Sequence, residues 1–207
     1  MLTKKLIILG AGNTLLDVIE IAKFQGIENI EIYDDNKSKI HKKIKNYSIL
    51  GNLKIGIKKN LKKAKFVFCF GNAKNMFNRE KIYKTFNFSP NDLETLIHPS
   101  ASVSSFAKIG KGAVIKSNAV ILPNATIGNN VIISQLASIS HNVKIGNHSI
   151  VAPSASCSGG SQIGKSCFLG TNSTINENIK IGDNSIVGLG TKVIKSIKKN
   201  SIFYEKK

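Results

Sequence analysis

The sequence predicts an α/β N-terminal unit followed by a parallel β-helix, and three observations carry the prediction. An aliphatic residue recurs every six positions through the second half of the chain, and glycine recurs every eighteen positions within the same stretch. The first ninety residues read instead as short apolar strands alternating with helical segments. The chain has 207 residues, 42% of them hydrophobic, enough for one domain or two small ones with a substantial core.

In chain order, Lys5 to Leu9 is an apolar run of strand length and Gly10-Ala-Gly12-Asn-Thr14 is a turn. Leu15 to Phe24 then sets Leu15, Leu16, Val18, Ile19 and Ala22 along a helix. A second strand, Ile30 to Tyr33, ends in Asp34-Asp35. This is a βαβ opening: a glycine-rich turn at a helix N-terminus suits phosphate, and an acid about twenty residues on accepts from a ribose or base. Leu15 stands where a dinucleotide fingerprint has its third glycine, which argues against an NAD site. Phe66 to Phe70 reads as another buried strand, running into Gly71-Asn72 and a helix that contains Arg79, Ile82, Tyr83 and Phe86. The expected organisation is a small Rossmann-like unit over 1–89, a linker over 90–96, a β-helix over 97–194 and a C-terminal tail over 195–207.

Within the β-helix, Ile97, Val103, Ile109 and Ile115 open a series that continues at every sixth position to Val193. It makes seventeen hits in succession, with Cys157 the one that is not aliphatic. Four residues after each hit comes a mostly small residue, as at Ala101, Ala107, Ala113, Ala119 and Ala125. Two inward positions per hexad are thereby specified, and a period of six fits neither a helix nor simple strand alternation. Gly110, Gly128, Gly146, Gly164 and Gly182 lie eighteen apart, so one coil is a triangle of three short strands. These glycines are expected at a corner whose tight turn needs positive φ. Residues eighteen apart stack roughly 4.8 Å from one another along the axis.

Composition bounds the rest. Thirty Lys+Arg against 12 Asp+Glu give a net charge of +18, which ordinarily suggests nucleic acid or an acidic membrane surface. Arg79 is the only arginine, however, and base-edge recognition leans on arginine. Lys, Asn and Ile are also the residues of AT-rich codons, consistent with part of the charge being compositional. The charge is localised: residues 36–79 hold twelve Lys, one Arg and no acid. No apolar run approaches the roughly 20 residues of a membrane span, and the apolar stretch after Lys4 and Lys5 is interrupted too early for a signal peptide. A cytoplasmic protein without membrane insertion is expected. Cys69, Cys157 and Cys167 are odd in number and widely spaced, which indicates neither a disulfide framework nor a zinc site.

The combination resembles the bacterial acyltransferase family that includes sialic acid O-acetyltransferase and the bacillosamine-type nucleotide-4-amino-sugar N-acetyltransferases, built on a left-handed hexapeptide-repeat β-helix. Leu96-Ile-His-Pro-Ser-Ala101 resembles that family's lead into the first coil, and Ile139-Ser-His141 its active-site coil. The resemblance implies a homotrimer with active sites between neighbouring β-helices, and no metal. It further implies an acetyl-CoA-dependent N-acetyltransferase acting on the 4-amino group of a UDP- or dTDP-linked 4-amino-4,6-dideoxy sugar for surface polysaccharide or glycan synthesis. It makes His141 the general base, a task for which imidazole is well poised near neutral pH. Pro123 and Gly159 flank His141 in its column, the latter leaving space beside the ring for a ligand. Asn142 stands where the family carries an acid, leaving its Oδ1, a backbone carbonyl or a neighbouring subunit to orient the ring. Glu177, two coils away or roughly 10 Å, is out of direct reach. The positions matching acetyl-CoA contacts are Ile150, Gly159, Gly170, Thr171, Gly188 and Leu189. Those matching nucleotide-sugar contacts are Gly12, Asn13, Thr14, Asp34, Asp35, Gly71 and Asn72, with Arg79 a candidate phosphate partner. Asn200 to Tyr204 begins like the family's terminal segment, but Glu205-Lys-Lys207 departs from it.

Three other readings compete. O-acetylation of a sialic-acid-like sugar would use the same base. A β-helix metalloenzyme resembling carbonic anhydrase needs three convergent histidines, and only His141 and His148 lie in the central coils. A non-catalytic module binding nucleic acid or sugar would rest on the lysine-rich stretch. His148, His98 and His41 are expected to be structural or without a role.

Overall fold

The computed structural model describes residues 5–204. Its N-terminal unit is a three-stranded parallel sheet of β1 (Lys5–Leu9), β2 (Asn29–Tyr33) and β5 (Lys65–Phe68), in the order β2-β1-β5. Helix α1 (Leu15–Phe24) connects β1 to β2; the hairpin β3 (Lys43–Ile44) and β4 (Tyr47–Ser48) and helix α2 (Leu53–Asn60) connect β2 to β5; α3 (Phe77–Thr85) follows. β1 is buried on both sheet faces, which is why Leu6, Ile7, Ile8 and Leu9 form an unbroken apolar run. α1 buries Leu15, Val18, Ile19, Ile21 and Ala22 and turns Leu16 and Phe24 outward. The stretch expected as a linker packs down instead: Pro90–Asp92 is a 3-10 turn, and Glu94 N–H donates to Phe66 O at the sheet edge.

From Leu96 onward the chain winds as a solenoid of two-residue strands stacked in three parallel sheets. The aliphatic series lies inside: Ile115, Ile121, Ile127, Ile133, Ile139 and their successors form one buried column with Ala113, Ala119, Ala125 and Ala137. Partners are eighteen residues apart, as in Ile121 with Ile139 and Cys157 with Ile175. The solenoid runs past residue 194, because Ile197 bridges Ile181 and Ile202–Phe203 pairs with Ile186–Val187.

The three faces differ in their outward residues. One presents Ser102, Val120, Ser138, Ser156, Thr174 and Lys192; we call it the small-residue face. A second presents Lys108, Thr126, Lys144, Gln162 and Lys180, the lysine face. The third presents Leu96, Val114, Ile132, Ile150, Phe168 and Ile186, apolar without exception. The N-terminal unit sits on this apolar face: Leu96, Val114, Ile132, Ile150 and Ile186 share one core with Leu6, Ile8, Leu15, Val18 and Met76. Polar contacts fix the docking, with Lys116 paired to Asp17 at 2.9 Å and Ser166 Oγ donating to Glu80 at 2.7 Å.

The corner glycines have a different cause from the one expected. Positive φ falls on Asn118, Asn124, Asn130, Asn142, Asn172, Asn178 and Asn184, with Leu136, His148, Ser154 and Ser166 in the same register. Asparagine tolerates this conformation better than most L-residues. Gly110, Gly128, Gly146, Gly164 and Gly182 are not in it. They are small because the next coil is close: a Cβ on Gly146 would lie 2.5 Å from Gly164 C, and one on Gly110 2.5 Å from Gly128 C.

Candidate active site

His141 lies at the corner between the small-residue and lysine faces and is exposed. Its ring lies over Gly159, where a Cβ would come within 2.5 Å of Cε1 and 2.8 Å of Nε2. The space expected beside the ring for a ligand is therefore taken by the ring itself, and Gly159 is the residue that permits this pose. Asn142 Nδ2 is 3.1 Å from His141 Nδ1, so the amide nitrogen, not Oδ1, faces the imidazole. In that arrangement Nδ1 accepts and the neutral ring carries its proton on Nε2. Rotating the amide by half a turn puts Oδ1 against Nδ1–H and frees the Nε2 lone pair. The side chain of Asn142 thus meets the His141 ring, while its backbone serves the turn at φ 59°.

The expected cofactor positions separate into two groups. Thr171 and Leu189 are exposed and stack one coil apart at the corner between the apolar and small-residue faces, with Leu189 81% exposed. Gly170 lets the next coil approach, its Cβ position lying 2.6 Å from Gly188 C. Gly188 is covered by Tyr204, whose ring would lie 2.1 Å from an added Cβ. Ile150 is corrected outright: it is 4% exposed, belongs to the apolar face and meets Gly71, so it cannot line a groove. Within one chain, His141 and the Thr171–Leu189 pair occupy different corners, the two that bound the small-residue face.

A cavity of about 290 Å³ opens at the C-terminal ends of β1, β2 and β5. Its lining includes Gly12, Asp34, Asp35, Lys39, Phe70 and Asn78. It unites three of the expected nucleotide-sugar residues, Gly12, Asp34 and Asp35. Asp34 accepts from Ala11 N at 2.6 Å and Asn36 N at 2.7 Å, so it braces the glycine turn. Asp35 Oδ1 accepts from Leu53 N at 2.9 Å, and among the described residues Oδ2 has no hydrogen-bond partner at the cavity. Thr14 turns to Cys69, with Oγ1 3.6 Å from Sγ, and Asn13 is exposed; neither lines the cavity. Gly71 has φ 139° and its Cβ position is filled by Ile150 Cδ1 at 2.4 Å, which makes it a docking glycine. Asn72 Oδ1 accepts from Lys74 N within its own turn. Sequence reasoning missed Lys39, Phe70, Asn75 and Asn78, which come from loops and α3 and carry no motif. Lys39 reaches Ala11 O at 2.7 Å.

Arg79 is not a phosphate partner. It is fully buried and donates to Phe68 O at 3.0 Å, Phe70 O at 2.7 Å, and Asn130 O and Oδ1 at 2.6 and 2.5 Å. Burial pulls it down to about 9, still ionised at neutral pH. Asn130 Nδ2 in turn is 3.0 Å from His148 Nδ1, and Tyr83 meets the His148 ring edge-on at 4.9 Å. Burial and the neighbouring Arg79 charge pull His148 down to about 4, the structural role expected of it. His98 accepts from Ser100 Oγ at Nδ1 in the junction beside Phe24. Burial raises the three thiols, Cys157 to about 12 and Cys69 and Cys167 to about 11, which keeps them unreactive.

The fold is matched among known proteins. Residues 124–159 and 160–195 match the family model for the bacterial transferase hexapeptide (six repeats). A perosamine N-acetyltransferase from Caulobacter crescentus, solved with CoA and GDP-perosamine, superposes with a TM-score of 0.83 at 22% identity over 97% of this chain and 93% of that one. The acetyltransferase domain of PglB from Neisseria gonorrhoeae, solved with acetyl coenzyme A, gives 0.84 at 23% over 98% and 97%. WeeI from Acinetobacter baumannii gives 0.83 at 19% over 98% and 97%. This chain has their fold. No curated protein matches it in sequence. The likeness spans the sheet-and-helix unit as well as the left-handed β-helix, so the way the two pack together is part of the shared fold. No described helix is long and apolar enough to cross a membrane.

Proposed function

We propose that the protein is an acetyl-CoA-dependent N-acetyltransferase acting on the 4-amino group of a nucleotide-linked 4-amino-4,6-dideoxy sugar, and that it works as a homotrimer. The observation that carries this reading is an exposed His141 seated over Gly159 in a chain that follows nucleotide-amino-sugar N-acetyltransferases over nearly its whole length. A perosamine N-acetyltransferase variant with a histidine replaced by asparagine is among those structures.

His141 Nε2, with Oδ1 of Asn142 holding Nδ1–H, takes a proton from the amine as its lone pair attacks the thioester carbonyl carbon. The new C–N bond forms, the C–S bond breaks, and the sulfur leaves as the thiol of CoA, taking from His141 the proton that came from the amine. Thr171 and Leu189, stacked along the solenoid axis, suit an extended pantetheine arm. Those residues and His141 flank one face, so a neighbouring copy against it completes the site. Small outward side chains allow close approach there. The large apolar residues exposed on regular coils, Phe106, Leu122, Leu136, Leu189 and Ile194, all fall at its two bounding corners. Head-to-tail contact of this kind closes into a ring. The Rossmann-like unit offers Asp35 Oδ2 as an acceptor for a base or ribose and Lys39 as a cation for phosphate.

The test is release of free CoA from acetyl-CoA with UDP-, dTDP- and GDP-linked 4-amino sugars, with mass measured by light scattering. Turnover with at least one sugar by a trimer is expected, abolished in His141→Ala and retained or raised in Asn142→Asp. No turnover with any of them, or full turnover by the alanine variant, removes the assignment.

A further inference from the structure

The charge concentrated in residues 36–79 is not absorbed by the site. Of the lysines there, Lys39 and Lys65 reach carbonyl oxygens and Lys59 faces Glu31; the others make no ion pair among the described residues. Most of these lysines precede β5, on the β3–β4 hairpin and in and around α2. The β3–β4 hairpin continues the β2 edge, with Ile49 bridging Ile32, and α2 packs on β1 and β2 directly after it. α2 turns Lys54, Ile55 and Lys58 outward, and Lys62 follows at its end. Amid these cations two aliphatic side chains stand out in solvent, Ile55 at 54% and Leu50 at 43% exposed. Both lie where the chain enters α2: Gly51, the residue after Leu50, lies against Ile55, with its Cβ position 3.8 Å from Cδ1.

We propose that this surface adsorbs the protein to an anionic lipid bilayer, with the lysines over the headgroups and Ile55 and Leu50 seated at the acyl boundary. A polynucleotide surface would have arginines for base edges or aromatic rings for stacking, whereas the two apolar side chains standing out around α2, Ile55 and Leu50, are aliphatic. The single arginine of the chain is buried elsewhere.

The experiment is co-sedimentation of the full chain with vesicles of phosphatidylcholine alone and with about 30% phosphatidylserine. Binding is expected only to the anionic vesicles, and is lost at about 0.5 M salt as screening shortens. Each lysine near the surface contributes about five-fold, so Lys54→Gln, Lys58→Gln and Lys62→Gln together weaken binding about a hundred-fold. Ile55→Asn weakens it about ten-fold without changing charge. All four positions are exposed, and circular dichroism confirms that the variants fold. No binding to anionic vesicles overturns the proposal. So does binding indifferent to Ile55→Asn and equalled by duplex DNA, which would make the patch a general polyanion surface.

Discussion

Replacing Arg79 with methionine should cost about 4 kcal/mol of stability and leave the inner aliphatic column intact. The guanidinium donates four hydrogen bonds, to Phe68 O and Phe70 O at the end of β5 and to Asn130 O and Oδ1 at a solenoid corner. Methionine fills most of the volume, but backbone carbonyls cannot be removed along with it, so buried acceptors are left without a donor. Each costs about 1 kcal/mol or more, and the sum agrees with the 3–5 kcal/mol typical of breaking a buried charged network. Against a total stability of about 5–15 kcal/mol that is a large share, equivalent to roughly 8–16 °C in Tm for a chain of this size. Urea unfolding followed by circular dichroism measures it, with Arg79→Lys as a companion that keeps the charge and at most part of the fork. A loss below about 1 kcal/mol in the methionine variant would show that the clamp does not hold the two units together.

His148 supplies a pH dependence with a defined sign. Its folded pKa of about 4 lies below the ordinary 6.5, so the unfolded chain binds the proton first. Its contribution is full above pH 6.5 and is lost as pH falls toward 4, by about 3 kcal/mol at most. His148→Asn, which keeps a residue tolerant of φ 64°, should flatten the acid limb in that window. Glu80, drawn down to about 2 first by Lys84 and also by Ser166 and Lys165, loses its contribution only between pH 4.5 and 2. Gly146→Ala should cost more than about 3 kcal/mol or prevent folding, because the added carbon meets backbone at 2.5 Å. Gly190→Ala, with nothing within 4 Å but φ 65°, should cost about 1–2 kcal/mol in the same denaturation assay. Gly159→Ala should leave stability nearly unchanged yet lower turnover about a hundred-fold by pushing the His141 ring aside. Wild-type turnover in that variant would contradict the pose of the ring.

Much of the fold was legible because it is periodic. A stacked solenoid asks the same thing of every coil, so the inward aliphatics from Ile97 to Val193 announce it by repetition. One more repetition was there to be read: Leu96, Val114, Ile132, Ile150, Phe168 and Ile186, apolar every eighteen residues on an outward position, mark the face that another unit must cover. It sets Ile150 under the N-terminal unit, against the family match that puts it in a cofactor groove. The Gly110 series was read correctly as a corner and wrongly as a conformation, since sequence spacing does not distinguish a residue that needs positive φ from one that needs no Cβ.

His141 could be singled out from its own segment, Ile139-Ser-His141, but the way its ring covers Gly159 is decided by the coil eighteen residues on. The site was not legible where partners come from afar: the cavity draws Lys39, Phe70 and Asn78 from segments with no shared motif. Arg79 makes the division plain. By itself the sequence determined a repeat whose coils stack, a βαβ opening and a lone arginine near a strand end. Only the tertiary structure decided that this arginine points inward to four acceptors and not outward to a phosphate, because the orientation of a long side chain depends on which distant carbonyls lie within reach and not on its neighbours in the chain.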